Sequence, residues 1–266
     1  MKKHKVKSLT KKSKNVPLHY AHIETNEEPV SLKSQKLRES FMPTILITGA
    51  NRGIGFALAQ AYVDDGWRVL ATRRSVTATL PEGVEPFILD IEDAHSIRLL
   101  KDALTEIPID ILWNNAGAYL DKNTSLAQMK DSDWVRSFEI NTIAPIRVAE
   151  ALAGNVALSE RKVMAFTSSI MSSLTLGGKG AYAYRSSKIA LNMAVRCFSQ
   201  DYKTEGISCL LLHPGHVKTD MGGEDGNIDA ATSAAGMKKL VENIGPAVLE
   251  SYSGRFFNYD GSIISW

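Results

Sequence analysis

Thr44-Ile45-Leu46-Ile47-Thr48-Gly49-Ala50-Asn51-Arg52-Gly53-Ile54-Gly55 is the stretch that decides the fold. Residues 45–48 form a short apolar run of β type, and residues 54–63 take up helical patterning. The glycines between them let the backbone turn sharply and come close to a pyrophosphate, which then rests on the amino end of the helix. A glycine cluster alone often marks nothing but a tight turn. Here it lies between a strand and a helix in the first βα unit, and that context points to a dinucleotide.

Outward from that turn, further strands are expected at residues 67–72, 86–89, 109–113, 162–167, 207–212 and 255–259. Helices are expected at 94–105, 131–153, 181–203 and 228–241. Apolar strands alternating with helices predict a parallel sheet covered on both faces. The fold class is α/β: a doubly wound, Rossmann-type sheet in a three-layer α/β/α arrangement, as one domain over residues 43–266.

The chain has 266 residues, 44% of them apolar, enough for one sizeable core. No run approaches the roughly 18 apolar residues a membrane span needs, so no membrane role is expected. The net charge of +2 is uneven, since residues 1–41 carry ten Lys/Arg against four Glu. Residues 1–42 therefore read as a basic, disordered leader without the apolar centre of a secretory signal. Two cysteines, Cys197 and Cys209, make neither a disulfide framework nor a zinc pattern, and a cytoplasmic location fits them best. The four tryptophans lack basic interleaving, which argues against nucleic acid.

Tyr184 and Lys188 stand four residues apart, one helical turn, so phenol and ammonium share a face. A phenol titrates near pH 10 in water, about 3 units above neutrality. A cation alongside should hold Tyr184 well below that value and fit it for proton transfer. Glycine turn and Tyr/Lys pair together suggest hydride transfer from a nicotinamide, with Tyr184 delivering the proton.

The spacing T-G-x-x-x-G-x-G at residues 48–55, Asn114-Asn115-Ala116-Gly117 after the fourth strand, Tyr184 to Lys188 as Y-x-x-x-K, and Pro214-Gly215 with Val217 and Thr219 beyond resemble the short-chain dehydrogenase/reductase family over about residues 44–266. The segments 182–188, 213–223 and 257–261 look like its sniffer-like and C-factor-like carbonyl reductases. That resemblance implies a catalytic set of Tyr184, Lys188, Ser169 and Asn141, with Ser168 and Ser172 as other candidates for the serine. It implies cofactor contacts from Gly49, Asn51, Arg52, Gly53, Ile54, Gly55, Arg73, Asp90, Ile91, Asn115, Ala116, Gly117, Tyr184, Lys188, Pro214, Gly215, Val217 and Thr219. Arginines at 52 and 73, with no acid closing the second strand, favour NADP(H) over NAD.

The expected function is NADPH-dependent reduction of a small-molecule carbonyl (aldehyde, ketone or quinone). A cofactor-holding sensor with little catalysis is the alternative. Relatives pair the two long helices, so a homodimer or homotetramer through 131–153 and 181–203 is expected. A short, small-residue lid over 222–241 suggests an open pocket. His213 and His216 lack a convincing third ligand for a metal. Gly178-Lys179-Gly180 reads as a flexible link before Tyr184.

Overall fold

The computed structural model describes residues 42–243 and 251–266. The basic leader expected over 1–42 lies, apart from Met42, outside the described residues.

Strands β1 (Thr44–Ile47), β2 (Arg68–Arg73), β3 (Glu85–Ile88), β4 (Ile111–Asn114), β5 (Val163–Thr167), β6 (Ser208–His213) and β7 (Arg255–Asn258) form one sheet in the order β3-β2-β1-β4-β5-β6-β7. Every pairing is parallel. Because the side-chain period is two, strand residues divide between two cores. Ile45, Ile47, Val69, Ala71, Ile111 and Trp113 face α1 (Gly53–Asp64), with Leu58, Ala59 and Tyr62 packed on them. Leu46, Leu70, Leu112, Met164 and Leu211 face the other way. They meet α2 (Ala94–Ala103), α4 (Ala144–Ala157) and α5 (Tyr182–Asp201) through Leu100, Leu152, Leu191 and Val195. The predicted three-layer α/β/α arrangement is therefore present.

β1 lies between β2 and β4, so the strand order reverses beside it. Ligands of doubly wound sheets bind outside the carboxyl ends of strands at such a point. The glycine turn after β1 and Asn115 after β4 flank it.

Beside end shifts of one or two residues, three departures from expectation have a physical cause. The helix expected over 131–153 is α3 (Asp131–Phe138), then a π-turn over Glu139–Ile143, then α4, with Pro145 in its first turn. Proline lacks the N–H that a helix interior needs, so a continuous helix through that point is disfavoured. Lys162 has φ +54° and stands outside β5, since a left-handed residue cannot extend a strand. The expected helix over 228–241 is α6 (Ala230–Asn243), and it is scaffold. Ala234, Met237 and Val241 are fully buried in the α1-side core, and Lys238 pairs with Asp65 and Glu242. The lid expected over 222–241 thus shrinks to the turns before Ala230.

Candidate active site

Thr48 organises the cofactor side. Its hydroxyl accepts from Asn115 N–H (2.9 Å) and Ala116 N–H (3.1 Å), and its own N–H donates to Trp113 O (3.0 Å). Asn115 Nδ2 reaches back to Thr48 O (3.1 Å) and Gly49 O (3.3 Å). The turns after β1 and β4 are thereby sewn together. Thr72 holds the other side, accepting at Oγ1 from Gly49 N–H (3.2 Å) and at its carbonyl from Ala50 N–H (2.9 Å).

Gly49 has φ +67°, the left-handed region that glycine enters without penalty. A Cβ on Gly55 would run into Gly49 O and stand 2.5 Å from Asn115 Nδ2. The turn needs both glycines for those two reasons. Ile54 packs against the α1-side core, and Asn51, Gly53 and Gly117 stay half-buried on the same rim.

The remaining cofactor candidates divide. Arg73 ends β2; one of its nitrogens donates to Ala78 O, while Nε is buried without a protein partner among the described residues. Arg52 is exposed and paired with Asp220 (3.0 Å), so it ties the glycine turn to the 214–229 loop. Asp90 builds the turn into α2, its Oδ1 accepting from Glu92 N–H (3.1 Å), and the cap itself is Asp93. Ile91 is half-buried beside it.

Pro214 O accepts from Ser233 Oγ (2.6 Å), and Val217 is buried in a bridge with Ile228. Thr219 Oγ1 accepts from Gly222 N–H (3.0 Å), and Gly215 sits against Ile228 and Tyr259. His213, ending β6, is driven down to a pKa of about 4 by burial, then by His216, and is neutral at pH 7.

The catalytic candidates meet on α5. Tyr184 and Lys188 are 7% and 4% exposed, and the Lys188 Nζ lies 6.0 Å from the Tyr184 ring centroid. Ser169 is the serine beside the Tyr184 phenol, whose pKa it lowers, and its Oγ accepts from Met171 N–H (3.2 Å). The other two serines are committed elsewhere. Ser168 Oγ donates to Asn192 Oδ1 (2.6 Å), Asn192 Nδ2 donates to Ser172 Oγ (2.7 Å), and Ser172 Oγ donates to Ser169 O (2.6 Å). Asn192, which sequence reading missed, is what separates the three.

Asn141 lies in the π-turn, fully buried. Its side chain accepts from Ala118 N–H (2.9 Å) and donates to Ala118 O (2.8 Å) and Ser187 Oγ (3.1 Å). Lys188 donates to Thr167 O (2.8 Å).

One electrostatic expectation is corrected. Tyr184 is not held below its ordinary value; burial pushes it up to about 12, against a smaller lowering from Ser169. Burial also brings Lys188 down to about 8. Both charged forms lose water, and burial is the largest cause of each shift. A phenol so held is protonated at neutral pH, the form a proton donor needs.

Two further residues escaped the sequence. Tyr119 stacks on Tyr184 with ring centroids 4.4 Å apart. Asp121, 2% exposed, accepts from Ala183 and Tyr184 N–H groups. Neither belongs to a local pattern, since each acts on a helix more than sixty residues away. Beside the link expected at 178–180, Arg185 fastens the turn that precedes it. Arg185 Nη1 donates to Met171 O (3.1 Å) and Gly177 O (3.0 Å) and packs directly on Gly178.

A dinucleotide fits these residues. Arg73 Nε, both amide atoms of Asn114 and His213 Nδ1 are buried polar atoms without protein partners among the described residues. All three side chains end strands, β2, β4 and β6, at the edge where such a ligand lies.

Comparison with known proteins agrees. The short-chain dehydrogenase family matches residues 43–229, and the chain belongs to that family, an oxidoreductase of its class. It is 41% identical to the C-signal protein of Myxococcus xanthus over 160 residues, 60% of this chain and 93% of that one. The crystal structure of carbonyl reductase Sniffer of D. melanogaster aligns with a TM-score of 0.74 at 29% identity, covering 85% of this chain and all of that one. A carbonyl reductase from Pseudomonas aeruginosa PAO1 in complex with NADP aligns with a TM-score of 0.73 at 33% identity, with the same coverage.

Proposed function

We propose that this chain uses NADPH to reduce a carbonyl compound (an aldehyde, ketone or quinone) to an alcohol. The observation that carries this reading is the burial of Tyr184 with Lys188 one turn on and Ser169 beside the phenol, while Asn192 holds Ser168 and Ser172 away. A hydroxyl, a protonated phenol and an ammonium then converge where a carbonyl oxygen gains negative charge. The NADP complex of the Pseudomonas reductase and the buried, unpartnered Arg73 Nε support NADP(H) over NAD. Since Arg52 is engaged by Asp220, a 2′-phosphate falls chiefly to Arg73.

NADPH held at the glycine turn and by Arg73 would supply a hydride for the carbonyl carbon. Tyr184 donates its phenolic proton to the carbonyl oxygen, and Ser169 hydrogen-bonds that oxygen as the charge develops. Lys188, mostly charged at pH 7 with its pKa near 8, stabilises the phenolate left behind. Asn141 has its side chain engaged by Ala118 and Ser187, so its part in returning the proton through water falls to its main chain in the π-turn.

The same reading carries a cytoplasmic homodimer or homotetramer, with Val135, Ile143 and Met193 exposed along 131–153 and 181–203. Light scattering measures its mass directly.

NADPH consumption against a panel of aldehydes, ketones and quinones tests the activity, with NADH and Tyr184→Phe in parallel. Turnover that collapses in the Phe variant is expected. Tight NADPH binding without turnover would favour a sensor.

A further inference from the structure

We propose that Asp121 is the positioning residue that sets the place of Tyr184, an inference that rests on the reductase reading. Helix α5 begins poorly by local standards. Its cap residue, Ala181, is left-handed at φ +53° and offers no side-chain oxygen. The first main-chain bond of the helix is Arg185 N–H to Ala181 O (2.8 Å), so earlier N–H groups need another acceptor.

Asp121 supplies it from a distance. One carboxylate oxygen accepts from Ala183 N–H (2.9 Å) and the other from Tyr184 N–H (3.2 Å). The second of these is the main chain of the proton donor itself. The carboxylate is 2% exposed, and among the described residues no lysine or arginine pairs with it. A charge so buried is held by the two N–H bonds and by the positive end of the helix.

The origin of this cap gives it its significance. Asp121 follows four residues after Gly117, on the loop that carries Asn115, Ala116 and Gly117. Tyr119, between them, stacks on the Tyr184 ring at 4.4 Å. Lys122, next in sequence, donates to Met221 O (3.0 Å) on the 214–229 loop. Three residues within the span 119–122 thus hold the ring of the proton donor, its main chain and the loop beyond. Asp121 is the buried member and the only one of the three contacts that grips the α5 backbone. It fixes the register of Tyr184 against the cofactor loop, so the phenol cannot shift along α5 without breaking both bonds.

The test compares Asp121→Ala and Asp121→Asn with Asp93→Ala, which removes the ordinary cap of α2. kcat, KM, NADPH dissociation constant and Tm are measured for each. Displacing a reacting group by about an ångström costs on the order of a hundred-fold, so Asp121→Ala should lower kcat by about ten- to a hundred-fold. NADPH affinity should stay within about two-fold. Asp121→Asn keeps one acceptor and should recover part of kcat, and it serves alone if the Ala variant does not fold. Asp93→Ala should lose stability but keep kcat.

Wild-type kcat in both Asp121 variants, or an equal loss of kcat in Asp93→Ala at matched Tm, overturns the assignment. Absence of carbonyl reduction by the unmodified chain overturns the reductase reading, and this inference with it. Turnover by the unmodified chain with unchanged Asp121 variants overturns this inference alone.

Discussion

Tyr184, Lys188, Ser169 and Asn141 are buried, and each is bound to main chain or to another buried side chain. The 214–229 loop facing them is anchored differently. Its ties across the cleft are the exposed Arg52–Asp220 pair and the exposed Lys122–Met221 bond. The floor loses much if one contact is broken, because a buried polar group left alone costs about 1–3 kcal/mol. The loop loses little, because exposed pairs contribute about 0–1 kcal/mol. A change in the loop should therefore disturb the buried floor little.

That contrast is broken most severely at Tyr184. Tyr184→Phe should lower NADPH-dependent turnover by about a hundred- to ten-thousand-fold while NADPH still binds, measured by initial rates and by titration of cofactor fluorescence. A variant retaining a tenth of the rate would move the proton to another group.

Gly55→Ala attacks the floor from the cofactor side. Its Cβ would collide with Gly49 O and the Asn115 amide, so stability should fall by about 1–3 kcal/mol, and NADPH binding should fall with it. Denaturant unfolding reads the first effect, and unchanged stability would mean the turn is not the rigid lattice described above.

pH sharpens the electrostatic side. For reduction, kcat/KM of the free enzyme should be level below pH 8 and fall above it as Lys188 loses its proton, with Tyr184 titrating only near 12. The folding linkage has the opposite sign in that range. Burial lowers Lys188 from 10.5 to about 8, so between those values the unfolded chain holds the proton longer. Its contribution to stability therefore rises with pH there. Above pH 10 the raised Tyr184 reverses the trend, since the unfolded chain then gives up a proton the folded one keeps. A level kcat/KM through pH 9 would show that Lys188 is not needed charged.

Arg73→Ala should weaken NADPH about ten-fold and NADH hardly at all, the loss of one charge-assisted contact. Smallest is Asp220→Ala, expected to change stability by less than about 1 kcal/mol and to alter KM before kcat. A large fall in kcat there would place the loop in the chemistry and erase the contrast.

What could be read in advance followed the physics of each feature. The glycine turn, Asn115-Ala116-Gly117 and the Tyr184/Lys188 pair are local in sequence, and their spacing alone states what the backbone must do. The π-turn at 139–143 was not legible beyond Pro145, because the surrounding periodicity is helical on both sides. Ser169 was chosen by resemblance; the physical reason it differs from Ser168 and Ser172 is Asn192, one turn beyond Lys188 on α5.

The sequence by itself determined the alternation of strands and helices, the glycine turn after β1 and the residue types of the site, since these depend on neighbours along the chain. Tertiary structure alone decided that Asp121 caps α5, that Tyr119 covers Tyr184 and that Arg52 is spent on Asp220. It also decided that burial keeps the phenol protonated. Each of those outcomes depends on which distant segments meet and how much water they exclude, and no spacing along the chain encodes it.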